Sequence, residues 1–463
     1  MIDDLRSACP DLLTDPDQLA TYQRDEADLC DSAPPLAVAR PRSTDEVAAL
    51  VAVAAGHGIP MVPQGARTGL AGGANASGGA LVVSLARMDR ILTIDPANRV
   101  ATVEAGVVNS ALRRAAASHG LAYPPDPGSW ESSTIGGNVA TNAGGMCCVK
   151  YGVTSEYVLG LTVVLADGEV LRCGRRTAKG VAGYDLVRLF VGSEGTLGII
   201  TEVTVRLRPA FPTALTLVAE FGSVPSAGSA VAAITAAGLT PSLLELMDPV
   251  MVRALEAYRP MGLGSGDRTL LLAASDAGPQ ASIELARIAD CCRANGAAEV
   301  YLATDAAEAD ALLATRRLAH GALEHLAASA FPDGRGAVIV DDVAVPRSRL
   351  AELIDGIAGI ATRAGVTIAT VGHAGDGNLH PNIIVDRADP ASLAAGRRAF
   401  DDIMALGLAL GGTVTGEHGV GLLKRDWLER ELGPVGLRVH RALKAALDPA
   451  GILNPGKVIA PDR

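Results

Sequence analysis

The sequence predicts an α+β protein built from two or three domains. The chain has 463 residues, 49% of them hydrophobic, which is too long for one core of ordinary size. A strand–helix–strand pattern near the amino end runs into a glycine-rich loop, a typical way to present backbone N–H groups to a ligand. From about residue 213, strands and helices alternate with few signals of parallel crossovers, which indicates a second domain of α+β type.

Composition excludes several classes of protein. A formal charge of −11 and an aromatic content of 3% argue against nucleic-acid binding, which needs basic surfaces or stacking platforms. The seven cysteines are odd in number and show no CxxC spacing, so a reducing compartment fits best. The amino end is acidic, and no run of eighteen apolar residues occurs. We expect a cytoplasmic protein, with peripheral docking at the inner face of a membrane left open.

The first glycine-rich loop, PQGARTGLAGG at 63–73, follows a predicted strand at 59–62. The preceding helix opens on a capping pattern at 43–46 and is predicted to stop at Gly56. The loop is neither a dinucleotide fingerprint nor a Walker A motif, since both spacings are absent. A phosphate cradle and a purely structural turn are both compatible with it.

A second unusual stretch lies at 132–145 and contains hydroxyls, amides and glycines but no Lys or Glu. It suits an extended polar ligand lying along it better than a plain surface loop. Another glycine-rich turn at 192–200 enters a strand, and Pro209 and Pro212 mark a domain boundary. Further on, one helix is predicted at 306–328 and one strand at 337–345.

The histidines are concentrated near the carboxyl end, where VGHAGDGNLHP at 371–381 is followed by GEHG at 416–419. His373 and His380 flank a turn, so that their imidazoles could converge on one cation while Glu417 supplies an oxygen. Two histidines and a carboxylate suit Zn, Fe or Mn and leave positions open for a substrate. On spacing alone, two histidines seven residues apart are more often unrelated, and both interpretations stay open at this point.

Taken together, the motifs resemble the FAD-linked 2-hydroxy-acid oxidoreductases of the vanillyl-alcohol-oxidase superfamily, in the group of the glycolate oxidase flavin subunit, D-lactate dehydrogenase and D-2-hydroxyglutarate dehydrogenase. The resemblance covers residues 34–458. It is carried by PQGARTGLAGGA at 63–74, PPDPGSWESSTIGGNVATNAGG at 124–145, KYGVTSEYVLGLTVVLADGEVL at 150–171, GHAGDGNLHPN at 372–382, GGTVTGEHGVGLLK at 411–424 and LDPAGILNPGKV at 447–458.

The resemblance implies a two-subdomain FAD-binding domain of the vanillyl-alcohol-oxidase (PCMH) type at 1–211, with a helical lead-in. It implies an α+β cap domain with an antiparallel sheet at 212–420, carrying the metal site, and a segment at 421–463 that returns to the flavin domain with Asn454 and Lys457 near the flavin ring. The residues that it implies for FAD are Pro63, Gly65, Ala66, Arg67, Thr68, Gly69, Leu70, Ala74, Pro125, Asp126, Ser129, Thr134, Ile135, Gly136, Asn138, Thr141, Asn142, Gly145, Tyr151, Gly152, Glu194, Gly195, Gly198, Ile199, Ile200 and Asn454.

The implied reaction is the oxidation of a D-2-hydroxy acid to its 2-oxo acid. His373, His380 and Glu417 would hold a divalent metal, Zn first and Mn or Fe next, to which the substrate binds. His418 would take the hydroxyl proton, and hydride would pass to FAD. The substrate carboxylate would bind Arg316, assisted by Asn382, with Arg317 and Arg335 as alternatives.

Two positions depart from the family pattern. Arg67 stands where relatives often have a small residue, and Thr68 stands where some superfamily members have the histidine that links FAD covalently. Threonine cannot form that link, so we expect non-covalent FAD.

Several alternatives remain open on the sequence. Relatives acting on 2-hydroxyglutarate tend to have a lysine on the strand that here reads VIVDD at 338–342, so D-lactate or glycolate is favoured over that dicarboxylate. A non-redox enzyme of the alkyl-dihydroxyacetonephosphate synthase type and a non-catalytic flavin subunit of an oxidase complex are further alternatives. The expected electron acceptor is a quinone, a cytochrome, an iron–sulfur subunit or an electron-transferring flavoprotein, and a homodimer is left open.

Overall fold

The computed structural model describes residues 1–262, 267–303 and 305–460. The chain folds into two units. Unit one consists of Met1–Gly144, Gly152–Ala210 and Glu417–Arg463, and unit two of Gly145–Tyr151 and Phe211–Gly416. The short excursion of Gly145–Tyr151 into unit two is a feature that the domain prediction does not contain.

The first sheet of unit one has four strands, in the spatial order Leu12–Leu13, Ala37–Ala39, Leu81–Ser84 and Met61–Gln64. The last three run parallel, as the strand–helix–strand pattern requires. The connecting helix Thr44–His57 starts where the Ser43 hydroxyl accepts the N–H of Glu46, as the capping pattern predicts. It continues past the predicted stop at Gly56, because Gly58 is the residue that takes the left-handed conformation and ends the helix.

The second sheet of unit one has five antiparallel strands. Their order is Ile91–Asp95, Val100–Glu104, Ile199–Arg206, Val158–Val164 and Val170–Gly174. A two-stranded ribbon pairs Leu121–Ala122 with Arg208–Pro209.

The helices of unit one are mostly short. The α-helices are Ile2–Ala8, Pro16–Ala20, Thr44–His57, Asn109–Ala117, Ile135–Thr141, Leu186–Phe190 and Arg425–Leu447, and the 3₁₀ turns are Leu85–Arg87 and Thr154–Glu156. The last helix is broken at Gly433, which is non-helical, before Pro434.

The small-residue stretch at 132–145 contains the helix Ile135–Thr141. The Thr134 hydroxyl accepts the N–H of Gly137 and caps this helix. Gly136 lets the helix pack closely, since a Cβ there would lie 2.5 Å from Cβ of Ala105. Its small residues therefore serve close backbone packing as well as polarity.

Unit two contains one antiparallel sheet, which confirms the predicted α+β class and its antiparallel sheet. The spatial order is Ala297–Leu302, Leu215–Phe221, Thr269–Ser275, Leu243–Met247, Thr367–His373, Asn378–Asp386 and Gly336–Val340, and Val343–Ala344 also pairs with Asn378–Asp386.

The helices of unit two pack against this sheet. They are Cys148–Tyr151, Val224–Ala236, Pro249–Tyr258, Ala281–Ala294, Ala306–Arg317, Ala319–Ala330, Leu350–Ala364 and Pro390–Ala409, with 3₁₀ turns at Gly278–Gln280 and Arg347–Arg349.

Two predicted elements of unit two are divided in the structure. The helix expected at 306–328 is two helices that meet at Leu318. The strand expected at 337–345 is interrupted at 341–342, where two aspartates stand between the paired segments.

Among the residues that the structure describes, no helix is long and apolar enough to cross a bilayer.

Candidate functional site

Three segments that the sequence analysis assigned to FAD converge within unit one. Gly65 lies against Thr134, so that a Cβ at this glycine would be 2.3 Å from the threonine Oγ1. The Glu194 N–H donates to the carbonyl of Ala140 at 2.8 Å. A Cβ at Gly195 would lie 2.3 Å from Pro63 Cγ, which brings the third segment back onto the first. The loops at 63–74, 132–142 and 192–200 therefore form one continuous surface.

The first loop carries the donors that a phosphate needs. Residues 65–70 are all half-buried, and they form neither helix nor strand. Over the described chain, the N–H groups of residues 66–70 donate no hydrogen bond to another part of the protein. A run of unsatisfied backbone N–H groups on a reachable loop fits the pyrophosphate of FAD, so the residues present suit this cofactor.

The position of Arg67 resolves the first departure from the family pattern. Its backbone is left-handed, with φ of 61°, a conformation that usually favours a small residue or glycine. Its guanidinium lies over the ring of Tyr22, 4.7 Å from the centroid. The side chain thus leaves the loop and stacks on the amino-terminal segment.

The final segment of the chain lies against the same loops. Asn454 donates through Nδ2 to the carbonyls of Gly73 at 3.0 Å and Glu194 at 2.7 Å. Lys457 is buried and donates to the carbonyl of Asn75 at 2.8 Å. Burial lowers the pKa of Lys457 to about 8, against the attraction of Asp25 and Glu194. These hydrogen bonds hold the final segment against the predicted cofactor loops.

Other residues predicted for FAD are engaged within unit one. The Asn138 side chain accepts from Asn109, Thr141 donates to the carbonyl of Gly137, and the Asn142 side chain accepts the N–H of Ser155. The remaining predicted contacts also belong to unit one: Ala66, Thr68, Gly69, Leu70, Ala74, Pro125, Asp126, Ser129, Ile135, Gly152, Gly198, Ile199 and Ile200.

Gly145 and Tyr151 differ from this group, because both belong to unit two. The Tyr151 ring stacks on Phe211 with centroids 4.4 Å apart, and its hydroxyl donates to Asp276. Lys150 forms an ion pair with the same aspartate. Within unit two, this segment is thus anchored by Asp276.

In unit two, the sheet register brings four chemically active side chains together on adjacent strands. They are Glu245, His373, His380 and Asp342, and this group is called the row. His373 ends the strand Thr367–His373, and His380 lies on the next strand, opposite Val371. Because successive side chains alternate between the faces of a sheet, His373 and His380 share one face. Their rings meet edge to face with centroids 5.1 Å apart, and both are almost fully buried. The turn between them depends on Gly377, which has φ of 79° and no space for a Cβ beside the carbonyl of Val345.

Glu245 occupies one end of the row. It lies on the neighbouring strand Leu243–Met247, whose Leu246 pairs with Gly372, so the next step of the register sets Glu245 opposite His373. Its Oε1 is 2.7 Å from His373 Nδ1, and its Oε2 accepts from Arg316 Nε at 2.7 Å. Burial alone would raise the pKa of Glu245, but attraction to His373 and Arg316 outweighs it and holds the pKa below the ordinary value.

Asp342 occupies the other end of the row, opposite His380. Its Oδ1 lies 3.6 Å from His380 Nδ1. Its Oδ2 accepts from the Thr415 hydroxyl at 2.7 Å and from the Gly416 N–H at 3.0 Å. Each histidine of the row therefore faces a fully buried carboxylate through Nδ1, an arrangement in which Nε2 is the nitrogen that would bind a metal. The donor set fits a divalent transition metal such as Zn.

The predicted substrate residues are on the same sheet or beside it. Arg316 is largely buried on the helix Ala306–Arg317, with its Nε engaged by Glu245. The Asn382 amide donates to the carbonyls of Ala369 and His380, so its nitrogen braces the histidine strand. Of the alternatives, Arg335 is paired with Asp386.

Glu417 and His418 belong to unit one, directly after Gly416, the last residue of unit two. Oε1 of Glu417 lies 3.8 Å from Nε2 of His418. Glu417 also packs on Gly144, where a Cβ would be 2.3 Å from the Glu417 Oε2.

Sequence reasoning missed Glu245 and treated Asp342 only as an absent lysine. A signal for Glu245 was present in the sequence. Glu245 interrupts the apolar strand LLELM, and a charge in a buried strand requires a partner. The partner could not be named without the register, since His373 is 128 positions away.

Comparison with known proteins identifies the family. Residues 212–458 match the carboxyl-terminal domain of FAD-linked oxidases, and residues 35–174 match an FAD-binding domain. This chain belongs to the FAD-linked oxidase family. It is 44% identical over 430 residues to the glycolate oxidase subunit GlcD of Bacillus subtilis, covering 92% of this chain and 90% of the relative. It is 36% identical over 449 residues to a D-lactate dehydrogenase of Anaerostipes hadrus, covering 94% and 92%.

A solved structure shows the same fold at low identity. The 4-ethylphenol oxidase of Gulosibacter chungangensis aligns with a TM-score of 0.81 at 22% identity, covering all of this chain and 97% of that one. The predicted family and fold are thus confirmed, and the family's FAD-binding domain makes this chain an FAD-linked oxidoreductase.

Proposed function

We propose that this oxidoreductase converts a D-2-hydroxy acid, D-lactate or glycolate in preference, into the 2-oxo acid. The observation that carries the proposal is the buried row of Glu245, His373, His380 and Asp342, with Arg316 attached to one end. It combines a fixed cation with two imidazoles, which suits a small molecule that has a carboxylate beside a hydroxyl. The names of the relatives, a glycolate oxidase subunit and a D-lactate dehydrogenase, support the same class of substrate.

Arg316 is the proposed anchor of the substrate carboxylate. Glu245 engages its Nε edge, and the two terminal nitrogens carry the remaining N–H donors of the guanidinium. A guanidinium held on one edge presents its fork in a defined direction, which favours bidentate binding of a carboxylate. Asn382 supports this region indirectly, by holding the backbone of the His380 strand.

His373 and His380 are the proposed metal ligands in unit two. The ligand set proposed from the sequence adds Glu417, and His418 remains the proposed base. A divalent metal held there would polarise the substrate hydroxyl and so favour loss of its proton. His418 as neutral imidazole accepts one proton, and this is its role when the hydroxyl is deprotonated.

Bound FAD supplies the hydride acceptor. The chain's own part is to hold the cofactor, which we assign to the N–H groups of residues 66–70 and to the loops at 132–142 and 192–200. A second partner would have to accept the two electrons that are removed from the substrate. We propose that this partner is a protein or quinone acceptor, in keeping with the subunit named among the relatives.

The strand at 336–340 favours a monocarboxylate over 2-hydroxyglutarate. It reads GAVIV and contains no cation for a second carboxylate, and the following Asp342 is committed to the row. D-2-hydroxyglutarate is therefore the second candidate substrate.

Anaerobic titration of the purified protein tests the proposal. D-lactate or glycolate should bleach the flavin absorbance, L-lactate and D-2-hydroxyglutarate should do so far less, and elemental analysis should find about one divalent metal per chain. His418→Ala should keep FAD but lose most of the bleaching, while the exposed His119→Ala serves as its control. A yellow protein that no hydroxy acid reduces would reject the function. Turnover of the dicarboxylate alone would reject the substrate assignment.

A further inference from the structure

Glu245 is a fully buried charge in the sheet of unit two. It stands at the centre of the strand Leu243–Met247, all of whose residues are buried, and its own side chain is fully inaccessible to solvent. An ionised carboxylate in such a place is costly unless it is paired and hydrogen-bonded. Its two oxygens have separate partners, His373 through Oε1 and Arg316 through Oε2.

We propose that Glu245 is a positioning residue that sets the His373 tautomer for metal binding and holds Arg316 for the substrate carboxylate. The inference rests on the proposed function above, since it assigns the purpose of one carboxylate within that site. Glu245 is proposed to contact neither the metal nor the substrate. It acts on the proposed metal ligand His373 through one oxygen and on Arg316 through the other.

The tautomer follows from hydrogen-bonding chemistry. An ionised carboxylate can only accept, so the atom 2.7 Å from it, Nδ1 of His373, must carry the proton. In neutral imidazole the other nitrogen then carries no proton and has a lone pair that can bind a metal. Nε2 of His373 is therefore prepared as a ligand before any metal arrives, and the ring is held in one orientation.

The same carboxylate couples the two halves of the substrate site. If Glu245 shifts, both the imidazole and the guanidinium lose their orientation, because each is bound to one of its oxygens. A substrate whose carboxylate and hydroxyl are on adjacent carbons needs these two groups at a set separation. Glu245 supplies that separation as a rigid spacer between them.

Glu245→Gln separates the two roles in a defined way. A glutamine has one acceptor and one donor, so it can satisfy only one partner as glutamate does. With its oxygen turned to Arg316, its amide donates to Nδ1 of His373 and selects the tautomer protonated at Nε2, which cannot bind a metal. With its oxygen turned to His373, its amide N–H groups face the Nε–H of Arg316. Two donors cannot form a hydrogen bond, so the guanidinium loses its anchor.

The experiment is titration of Zn²⁺ and Co²⁺ into FAD-loaded protein that has been stripped of metal with a chelator. We expect Glu245→Gln to bind Zn²⁺ roughly 10- to 100-fold more weakly, to show an altered Co²⁺ spectrum, and to raise KM more than Glu284→Gln does. Glu284 is a matched control, since it is a half-buried glutamate of the same unit that accepts from Ser275 and Thr240 and contacts no histidine in its described hydrogen bonds.

A measurement on the unmodified protein avoids dependence on the variant's folding. Selective ¹⁵N labelling of histidine, with His373→Gln to assign the signal, should show His373 protonated at Nδ1 in the FAD-loaded, metal-free protein. Protonation at Nε2 would overturn the inference whatever the behaviour of Glu245→Gln.

The outcomes distinguish the inference from the function on which it rests. If the unmodified protein binds no metal, the proposed metal site fails and the inference fails with it. If the unmodified protein binds Zn²⁺ and Glu245→Gln binds it equally well with an unchanged Co²⁺ spectrum, the inference alone is overturned.

Discussion

Oε1 of Glu194 lies 2.7 Å from the backbone nitrogen of Val420, although the two residues are 226 positions apart. The other oxygen of the same carboxylate accepts from Gly421 at 3.0 Å. Glu194 itself has a left-handed backbone and lies in the glycine-rich turn of the predicted flavin loops. One buried carboxylate therefore ties that turn to the carboxyl-terminal segment of unit one.

This tie predicts a pH dependence for unit one. Burial raises the pKa of Glu194 from 4.5 to about 7, despite the two N–H donors and Lys424. A carboxyl group whose pKa is higher in the folded state binds more protons folded than unfolded, so its contribution to stability is complete below 4.5 and is lost as the pH rises through 7. Glu194→Gln should remove this slope, so that the difference in unfolding free energy between the two proteins changes by roughly 3 kcal/mol between the ends of that range.

Tryptophan fluorescence during urea unfolding measures this effect, because both tryptophans, Trp130 and Trp427, are in unit one. Asp25, whose pKa burial raises to about 6, contributes a slope of the same sign and remains in both proteins. If the free energy of unfolding changes with pH in the same way in both proteins, the assignment to Glu194 is contradicted.

Asp342→Asn should weaken metal binding through His380. Asparagine has one acceptor oxygen where aspartate has two. The Gly416 N–H, the Thr415 hydroxyl and His380 would therefore compete for that one oxygen. We expect roughly tenfold weaker Zn²⁺ binding by calorimetric titration. Thr415→Val removes only the hydroxyl donor and should leave Zn²⁺ affinity within about twofold of the original. An equal loss in both variants would assign the effect to the Gly416 segment instead of His380.

Asp276→Asn should loosen the segment Gly145–Tyr151 within unit two. The substitution leaves Lys150 and the Tyr151 hydroxyl without their charged acceptor, at a cost of about 1–3 kcal/mol. Hydrogen–deuterium exchange of peptides covering 145–151 should accelerate. Asp290→Asn, which breaks an exposed pair with Arg293, should change neither exchange nor stability by a measurable amount.

Acid precipitation of the purified protein should release all of its FAD into the supernatant. Thr68 has a hydroxyl that forms no stable link to the flavin ring, and it follows Arg67 on the loop whose N–H groups are available to phosphate. Yellow colour that stays with the precipitated chain would show a covalent link at another residue and would contradict this expectation.

Local patterns predicted much of the fold. The capping residues at 43–46 and the alternating segments after 213 correspond to elements of the structure. Errors arose where one continuous element was predicted and the structure has two, at 306–328 and at 337–345. The stretch at 132–145 contains a helix, because Thr134 caps it and Gly136 packs on Ala105, and neither contact is visible along the chain.

The sequence by itself determined the chemistry available to this protein: a glycine-rich loop for phosphate, two histidines around a turn, and the family to which the chain belongs. Only the tertiary structure decided how these groups are held. Glu245 reaches His373, and Asp342 reaches His380, because four strands from distant parts of the chain pair in one register. Pairing of this kind depends on the packing of whole strands, and so no local pattern could reveal which carboxylate faces which imidazole.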